Sequence, residues 1–337
     1  MPTSTVSIRP DDPRLTWAGA VSLERTADTV RPWRLPFDDL GLFPVPALQR
    51  VAGDPAGVRL TFRSDTNRVA GQIIPQSQIG CLDLCVNGQR ISSAALANRA
   101  EFAFDDLPAG DKLIEIWLPH FGEFHLRSLE LSSGAGLEHF DDRRPRWITY
   151  GSSISQCHNS RRPTETWPAV VARDRDYHLT CLGYSGQCHL DVMVARLVRD
   201  LPADYLSLCL GINVHGQGSL GPRTFRPAII GFVQVIREKH PDTPLAVISP
   251  IAASAEREER VNPVGMTLPM MREEVAAAVE TLRSHGDHNL YYVDGRQIFG
   301  PADVSLLADQ VHPTAEGYLL IGKRFSEELA VPLFGSR

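Results

Sequence analysis

Two rhythms of apolar and polar positions divide the chain. In the first half, short runs alternate with a period of two and are broken by turn residues. Val58-Arg59-Leu60-Thr61-Phe62-Arg63 and Leu82-Asp83-Leu84-Cys85-Val86 are two such runs. Leu113-Ile114-Glu115-Ile116-Trp117-Leu118 and Leu126-Arg127-Ser128-Leu129-Glu130-Leu131 are two more. Period two marks strands with one buried face. Asn87-Gly88 directly follows the second run. It predicts a tight hairpin, because a type I′ turn needs positive φ at both central residues. No long helical pattern interrupts this half. Closely spaced short strands predict a jelly-roll-like β-sandwich domain over residues 1–140. Trp17, Trp33 and Trp167 read as core residues.

From Arg146 the rhythm becomes strand, loop, helix. Trp147–Tyr150, His178–Leu182, Tyr205–Leu210, Leu245–Ser249 and Tyr291–Val293 read as strands. Thr166–Asp174, Asp191–Leu201, Phe225–Lys239, Met270–His285 and Ala315–Leu329 read as helices. Met271, Val275, Val279 and Leu282 share one helical face, and Pro168 is tolerable because it falls in a first turn. Five strands alternating with helices predict an α/β domain over residues 145–337, with a parallel sheet covered on both faces. Gly134 to Pro145 reads as the linker. In open sheets of this kind, chemistry gathers beyond the C-terminal ends of the strands.

Charge narrows the partners. Lys and Arg number 34 against 40 Asp and Glu, a formal net charge of −6. That balance supplies no basic footprint for nucleic acid. No apolar run approaches the ~20 residues that span a bilayer, so no membrane partner is expected. The segment Met1 to Pro13 has no basic start followed by an apolar stretch, and the expectation is a cytoplasmic protein. Composition carries no signature of an oligomeric state. Cys157-His158 and Cys188-His189 match no usual zinc spacing, so neither metal nor cofactor is expected. Cys81 and Cys85 at i, i+4 on a strand stand ~13 Å apart, too far for a disulfide.

The residues after each strand carry the chemistry. The first strand is followed by Gly151-Ser152-Ser153-Ile154-Ser155, the second by Gly183-Tyr184-Ser185-Gly186-Gln187. The third is followed by Gly211-Ile212-Asn213-Val214-His215-Gly216. Asp309-Gln310-Val311-His312-Pro313 comes between the fifth strand and the last helix. One sheet edge thus collects serines, glycines, an Asn and an Asp-x-x-His pair. A serine hydroxyl attacks only when a base takes its proton. His312 is such a base, and Asp309 can hold its other ring nitrogen. Backbone N–H groups at a strand-to-helix turn and the Asn213 amide are donors for a developing oxyanion.

In this block order the chain resembles the SGNH, or GDSL, hydrolases, named for Ser, Gly, Asn and His in four separate blocks. The resemblance covers about Arg146 to Leu329. It implies a flavodoxin-like five-stranded parallel sheet and hydrolysis of esters without a metal. It casts Ser153 as nucleophile and Asp309 and His312 as its partners, with the Ser153 and Gly186 amides and the Asn213 side chain as the oxyanion hole. Two positions depart from the family: Ser152 stands where Asp is usual, and Val214 follows Asn213 where Asp is frequent. The first half is similar to the carbohydrate-binding-module-like domains that precede some carbohydrate esterases and GDSL acyltransferases. His120, Phe121, His189 and His215 are candidate substrate contacts; the first two lie in the aromatic segment Pro119–His125.

The implied substrate is a small-molecule or carbohydrate ester. O-acyl transfer to an alcohol is the alternative fate of the same acyl-serine. A catalytically idle glycan-binding protein is the alternative of a different class. The elbow Gly-x-Ser-x-Gly of other serine hydrolases surrounds neither Ser153 nor Ser185, and no Gly-rich phosphate cradle is present.

Overall fold

The computed structural model describes residues 4–335. It divides into two units. One comprises Met1–Arg143 with Arg162–Thr164, the other Arg144–Arg161 with Glu165–Arg337.

Among the described residues the first unit has eleven strands: β1 Thr5–Ile8, β2 Thr16–Ala18, β3 Ser22–Arg25, β4 Val30–Trp33, β5 Arg59–Ser64, β6 Val69–Ile73, β7 Cys81–Val86, β8 Gln89–Ala95, β9 Glu101–Phe104, β10 Lys112–Trp117 and β11 Leu126–Ser132. They form two antiparallel sheets. One runs β3-β4-β11-β6-β9 with β1 also on β11; the other runs β2-β5-β10-β7-β8. A short helix, α1 Pro46–Ala52, interrupts them. The β7–β8 hairpin turns at Asn87 and Gly88, whose φ values are 48° and 79°. Leu60, Phe62, Leu84, Ile114 and Ile116 join Val69, Ile73, Leu129 and Leu131 in one core. Trp17 and Trp33 are buried as expected.

One feature differs from simple alternation. The polar positions of β5, β7 and β10 are buried too: Arg59, Thr61, Asp83 and Glu115 are at most 2% exposed. The three charged ones carry compensation, which burial of a charge requires. Arg59 pairs with Glu115 at 3.5 Å and lies over the Trp117 ring. Asp83 accepts from Ser93 Oγ at 2.5 Å, and from the Thr164 hydroxyl and N–H at 2.5 and 3.2 Å. Those last bonds tie Thr164 to this unit.

The second unit holds β12 Arg146–Gly151, β13 His178–Gly183, β14 Tyr205–Cys209, β15 Leu245–Ile248 and β16 Leu290–Val293. All pairings are parallel, in the order β13-β12-β14-β15-β16. The helices are α2 Ser153–Gln156, α3 Trp167–Asp174, α4 Val192–Asp200, α5 Ile212–Gln217, α6 Phe225–Arg237, α7 Ala255–Glu259, α8 Leu268–Ser284, α9 Ala315–Arg324 and α10 Val331–Phe334. A π turn, Phe325–Ala330, joins the last two. In one packed group α3 lies against α9, and in another α6 lies between α4 and α8. Strands such as Leu245–Ile248 are buried throughout, as a doubly covered sheet demands.

Aromatic rings set the base of the sheet. Trp147 packs on Trp167 at 5.9 Å and Phe325 at 5.3 Å, and its Nε1 donates to Ser207 Oγ at 3.1 Å. Tyr150 stacks on Phe232 at 5.2 Å. The chain leaves β12 to one side for β13 and returns past it to β14. Beyond the ends of β12 and β14 lies the switch point where such sheets bind ligands. No helix among the described residues is long and apolar enough to cross a membrane.

Candidate active site

Ser153 opens α2 immediately after β12. Ser152 caps that helix, its Oγ accepting the Ile154 N–H at 3.2 Å. The Ser152 carbonyl takes the Ser155 and Gln156 N–H groups at 3.0 and 3.1 Å. In this first turn, only the Ser153 N–H has no partner among the described residues. The family's usual Asp is thus replaced by another good capping residue. Gly183 lets α2 lie flush on the end of β13, since a Cβ there would meet the Gln156 nitrogen at 2.5 Å.

Ser153 Oγ lies 2.8 Å from His312 Nε2. His312 Nδ1 lies 2.7 Å from Asp309 Oδ2. The other carboxylate oxygen, Oδ1, accepts the N–H groups of Val311 and His312, both at 2.7 Å. Burial pushes the Asp309 carboxyl up, but the His312 N–H, the His312 ring and the Val311 N–H outweigh it and hold it below the usual carboxylate range. The loop is tied down by Ala308 N–H to the His312 carbonyl at 2.8 Å and by Asn159 Nδ2 to the Pro313 carbonyl at 3.2 Å.

The other two candidate donors, Gly186 and Asn213, follow β13 and β14. Tyr184–Gln187 is a turn closed by Gln187 N–H to the Tyr184 carbonyl at 2.9 Å, with Gly186 at φ +71°. A positive φ at the third position of a turn favours glycine. The Gly186 carbonyl is pinned by His189 Nε2 at 3.0 Å and Gln217 Nε2 at 2.8 Å. Asn213 stands in the first turn of α5, and its Oδ1 accepts the Cys188 N–H at 3.0 Å. With Oδ1 engaged as acceptor, the Nδ2 group is the donor Asn213 has to offer. The neighbours Ile154, Ile212 and Val311 line a small apolar cavity of about 30 Å³ with Trp167 and Pro250.

The remaining candidates fall in different settings. Ser185 donates from Oγ to the Gln156 amide oxygen at 2.9 Å, and an amide is no base. His189 also touches Ser219 Oγ at 2.7 Å. His215 is buried on α5, with Nε2 3.0 Å from the Arg260 carbonyl. Burial, outweighing its hydrogen bonds, pulls its pKa down. His120 and Phe121 belong to the first unit, the buried His120 ring edge-on to Phe121 at 5.0 Å. No disulfide joins the six cysteines, and burial pushes the Cys157 and Cys188 thiols up. Among the described residues no three His, Cys, Asp or Glu side chains gather as a metal centre would need. Sequence reasoning missed Gln156 and Gln217, which hold the Ser185–Gly186 turn. The spacing Ser153 to Gln156 and Asn213 to Gln217, one helical turn each, was the available signal.

Residues 145–329 match the GDSL-like lipase/acylhydrolase family. The chain belongs to that family. It is accordingly an enzyme that acts on ester bonds, and its five-stranded parallel sheet is the expected one. Residues 15–127 match the N-terminal domain of SsfX3. Among solved structures, this GDSL-family chain is similar to the salicylyl-acyltransferase SsfX3 from a tetracycline biosynthetic pathway, at 34% identity over 97% of both chains with a TM-score of 0.90. A GDSL-like lipase from Bacteroides ovatus shares the fold at 21% identity, 98% of both chains and TM-score 0.79. So does a family two carbohydrate esterase from Clostridium thermocellum, at 13% identity, 96% and 99% coverage and TM-score 0.70. No curated protein sequence matches the chain.

Proposed function

We propose that the protein is a serine esterase that cleaves an ester of a small molecule or sugar through an acyl-Ser153 intermediate. The observation that carries this reading is the hydrogen-bonded series from Asp309 through His312 to Ser153. His312 takes the Ser153 proton as Oγ attacks the ester carbonyl. The N–H groups of Ser153 and Gly186 and the Asn213 amide receive the oxyanion. Asp309 holds the ring with its proton on Nδ1 and favours the imidazolium that forms. His312 then protonates the leaving alcohol, and a water activated by the same ring releases the acid.

A second reading has an observation of its own. The 34% identity to an acyltransferase extends over 97% of the chain, first unit included. On that reading a bound alcohol replaces water in the last step. Intact mass after treatment with a fluorophosphonate probe tests the intermediate. A single adduct on wild type that is lost in Ser153→Ala supports it; an adduct that survives there moves the nucleophile elsewhere. Product analysis with added alcohols then separates the two fates, since hydrolysis leaves free acid and transfer leaves a new ester.

A further inference from the structure

Arg257 is a charge without a counter-charge. It lies on α7, is 9% exposed, and takes part in no ion pair among the described residues. Its buried Nε has no hydrogen-bond partner among the described residues. The nearby carboxylates are engaged elsewhere. Glu258 grips Arg272 by two bonds of 2.7 Å, and Glu256 accepts from Gln310 at 2.8 Å. Burial and the like charge of Arg260 both disfavour the Arg257 cation. A buried guanidinium in this state is costly unless an anion completes it.

Its position ties it to the site. A Cβ on Gly216 would stand 3.2 Å from Arg257 Nη2. Gly216 follows Asn213 on α5 by three residues, a rise of about 4.5 Å along the same side of the helix. On its other flank α7 is fastened by the Ser254 N–H to the Gln310 carbonyl at 3.0 Å, within the Asp309–His312 loop. The guanidinium thus lies beside the helix of Asn213, on a helix whose N-cap is tied to the loop of His312. Gly216 and Gln217 are exposed, so the approach from solvent is open. The absence of a side chain at Gly216 leaves room beside Nη2.

We infer that Arg257 binds an anionic group of the substrate, a carboxylate or a phosphate, carried within reach of the ester held at Asn213. The planar fork of arginine suits either group through paired charge-assisted bonds. The inference rests on the proposed esterase reading for the position of the ester alone.

The test is calorimetric binding to full-length Ser153→Ala protein, which removes turnover from the measurement. The probes are 4-acetoxybenzoate, its neutral methyl ester, 4-acetoxyphenyl phosphate, and mono-4-nitrophenyl succinate beside neutral 4-nitrophenyl acetate. At least one anionic ester should bind roughly ten- to a hundred-fold tighter than its neutral counterpart at low salt. Arg257→Gln in the same background should abolish that advantage, and Arg257→Lys should keep part of it. Gly216→Ala, which crowds Nη2 without touching the charge, should also reduce it. The preferred probe tells carboxylate from phosphate and acyl side from alcohol side. An advantage unchanged by Arg257→Gln, or no advantage for any anion, overturns the inference. Fluorophosphonate labelling of wild type is read separately. Labelled Ser153 without an anion advantage overturns only the role of Arg257. An anion advantage without labelling overturns only the role of Ser153.

Discussion

Replacing Asp309 with asparagine should harm catalysis more than removing its side chain. The reason is the division of labour between the two carboxylate oxygens. Oδ1 accepts two backbone N–H groups at 2.7 Å each, and Oδ2 faces His312 Nδ1 at 2.7 Å. An asparagine must keep its oxygen at the Oδ1 place, because its NH₂ group cannot face two donors. The NH₂ then points at Nδ1 and forces the ring proton onto Nε2. The nitrogen facing Ser153 becomes a donor and cannot accept the hydroxyl proton. A tautomer error of this kind costs about 10⁴ in kcat. In Asp309→Ala, water accepts the hydrogen bond from Nδ1–H and the tautomer stays available, so the loss is mainly the charge. Two unit charges ~4 Å apart interact by about 1 kcal/mol in water and about 4 kcal/mol at an effective dielectric of 20. The Asp309 side chain is 55% exposed, which places the loss between these limits. About 2–3 kcal/mol corresponds to roughly 30- to 160-fold. The assay is kcat/KM on an aryl ester, with urea stability confirming that both variants fold. Asp309→Asn activity equal to or above that of Asp309→Ala would refute the reasoning.

Other consequences are as direct. Asn213→Ala should lower kcat by about 10²–10³; a change within about twofold on the same assay would remove Asn213 from the oxyanion hole. Ser152→Ala removes the cap of α2 and should lower stability by about 0.5–2 kcal/mol in urea unfolding, with no change if the cap is idle. The depressed Asp309 carboxyl contributes stability that is present above the unfolded value of about 3.9 and is lost as pH falls through the folded one. The stability gap between wild type and Asp309→Ala should therefore be wider at pH 7 than near pH 2, and an equal gap would contradict the shift. Trp147→Ala empties the 0%-exposed centre of the aromatic cluster and should cost about 3–5 kcal/mol, measured by the same unfolding.

Long elements were the legible ones. The periodicity placed a helix at 270–285 where α8 runs Leu268–Ser284, and a strand at 147–150 inside β12. Short elements left no such trace. β2 and β3 have three and four residues, too few for alternation to register. α2 and α5, which carry Ser153 and Asn213, have four and six. Helices that short do not nucleate on their own and exist through their caps and neighbours. The four blocks around the site were readable because their residue types are chemically distinctive. Gln156, Gln217 and Arg257 were not, because a holding or waiting side chain declares itself only through what surrounds it. The buried Asp83 and Arg59 defeated alternation for the same reason: their partners Thr164 and Glu115 are distant in sequence.

Four consecutive residues, Asp309 to His312, contain their acid, their base and the backbone donors that orient the acid. The bonds that orient the acid on the base thus all lie within these four residues. What the pair itself requires of the rest of the fold is one gap, the 2.8 Å between His312 and Ser153. Distant damage, heat or a shift of the 306–314 loop should act on that gap first. Such an enzyme would switch off by disengagement, with its dyad intact and ready to re-engage, rather than by disassembly of its chemistry.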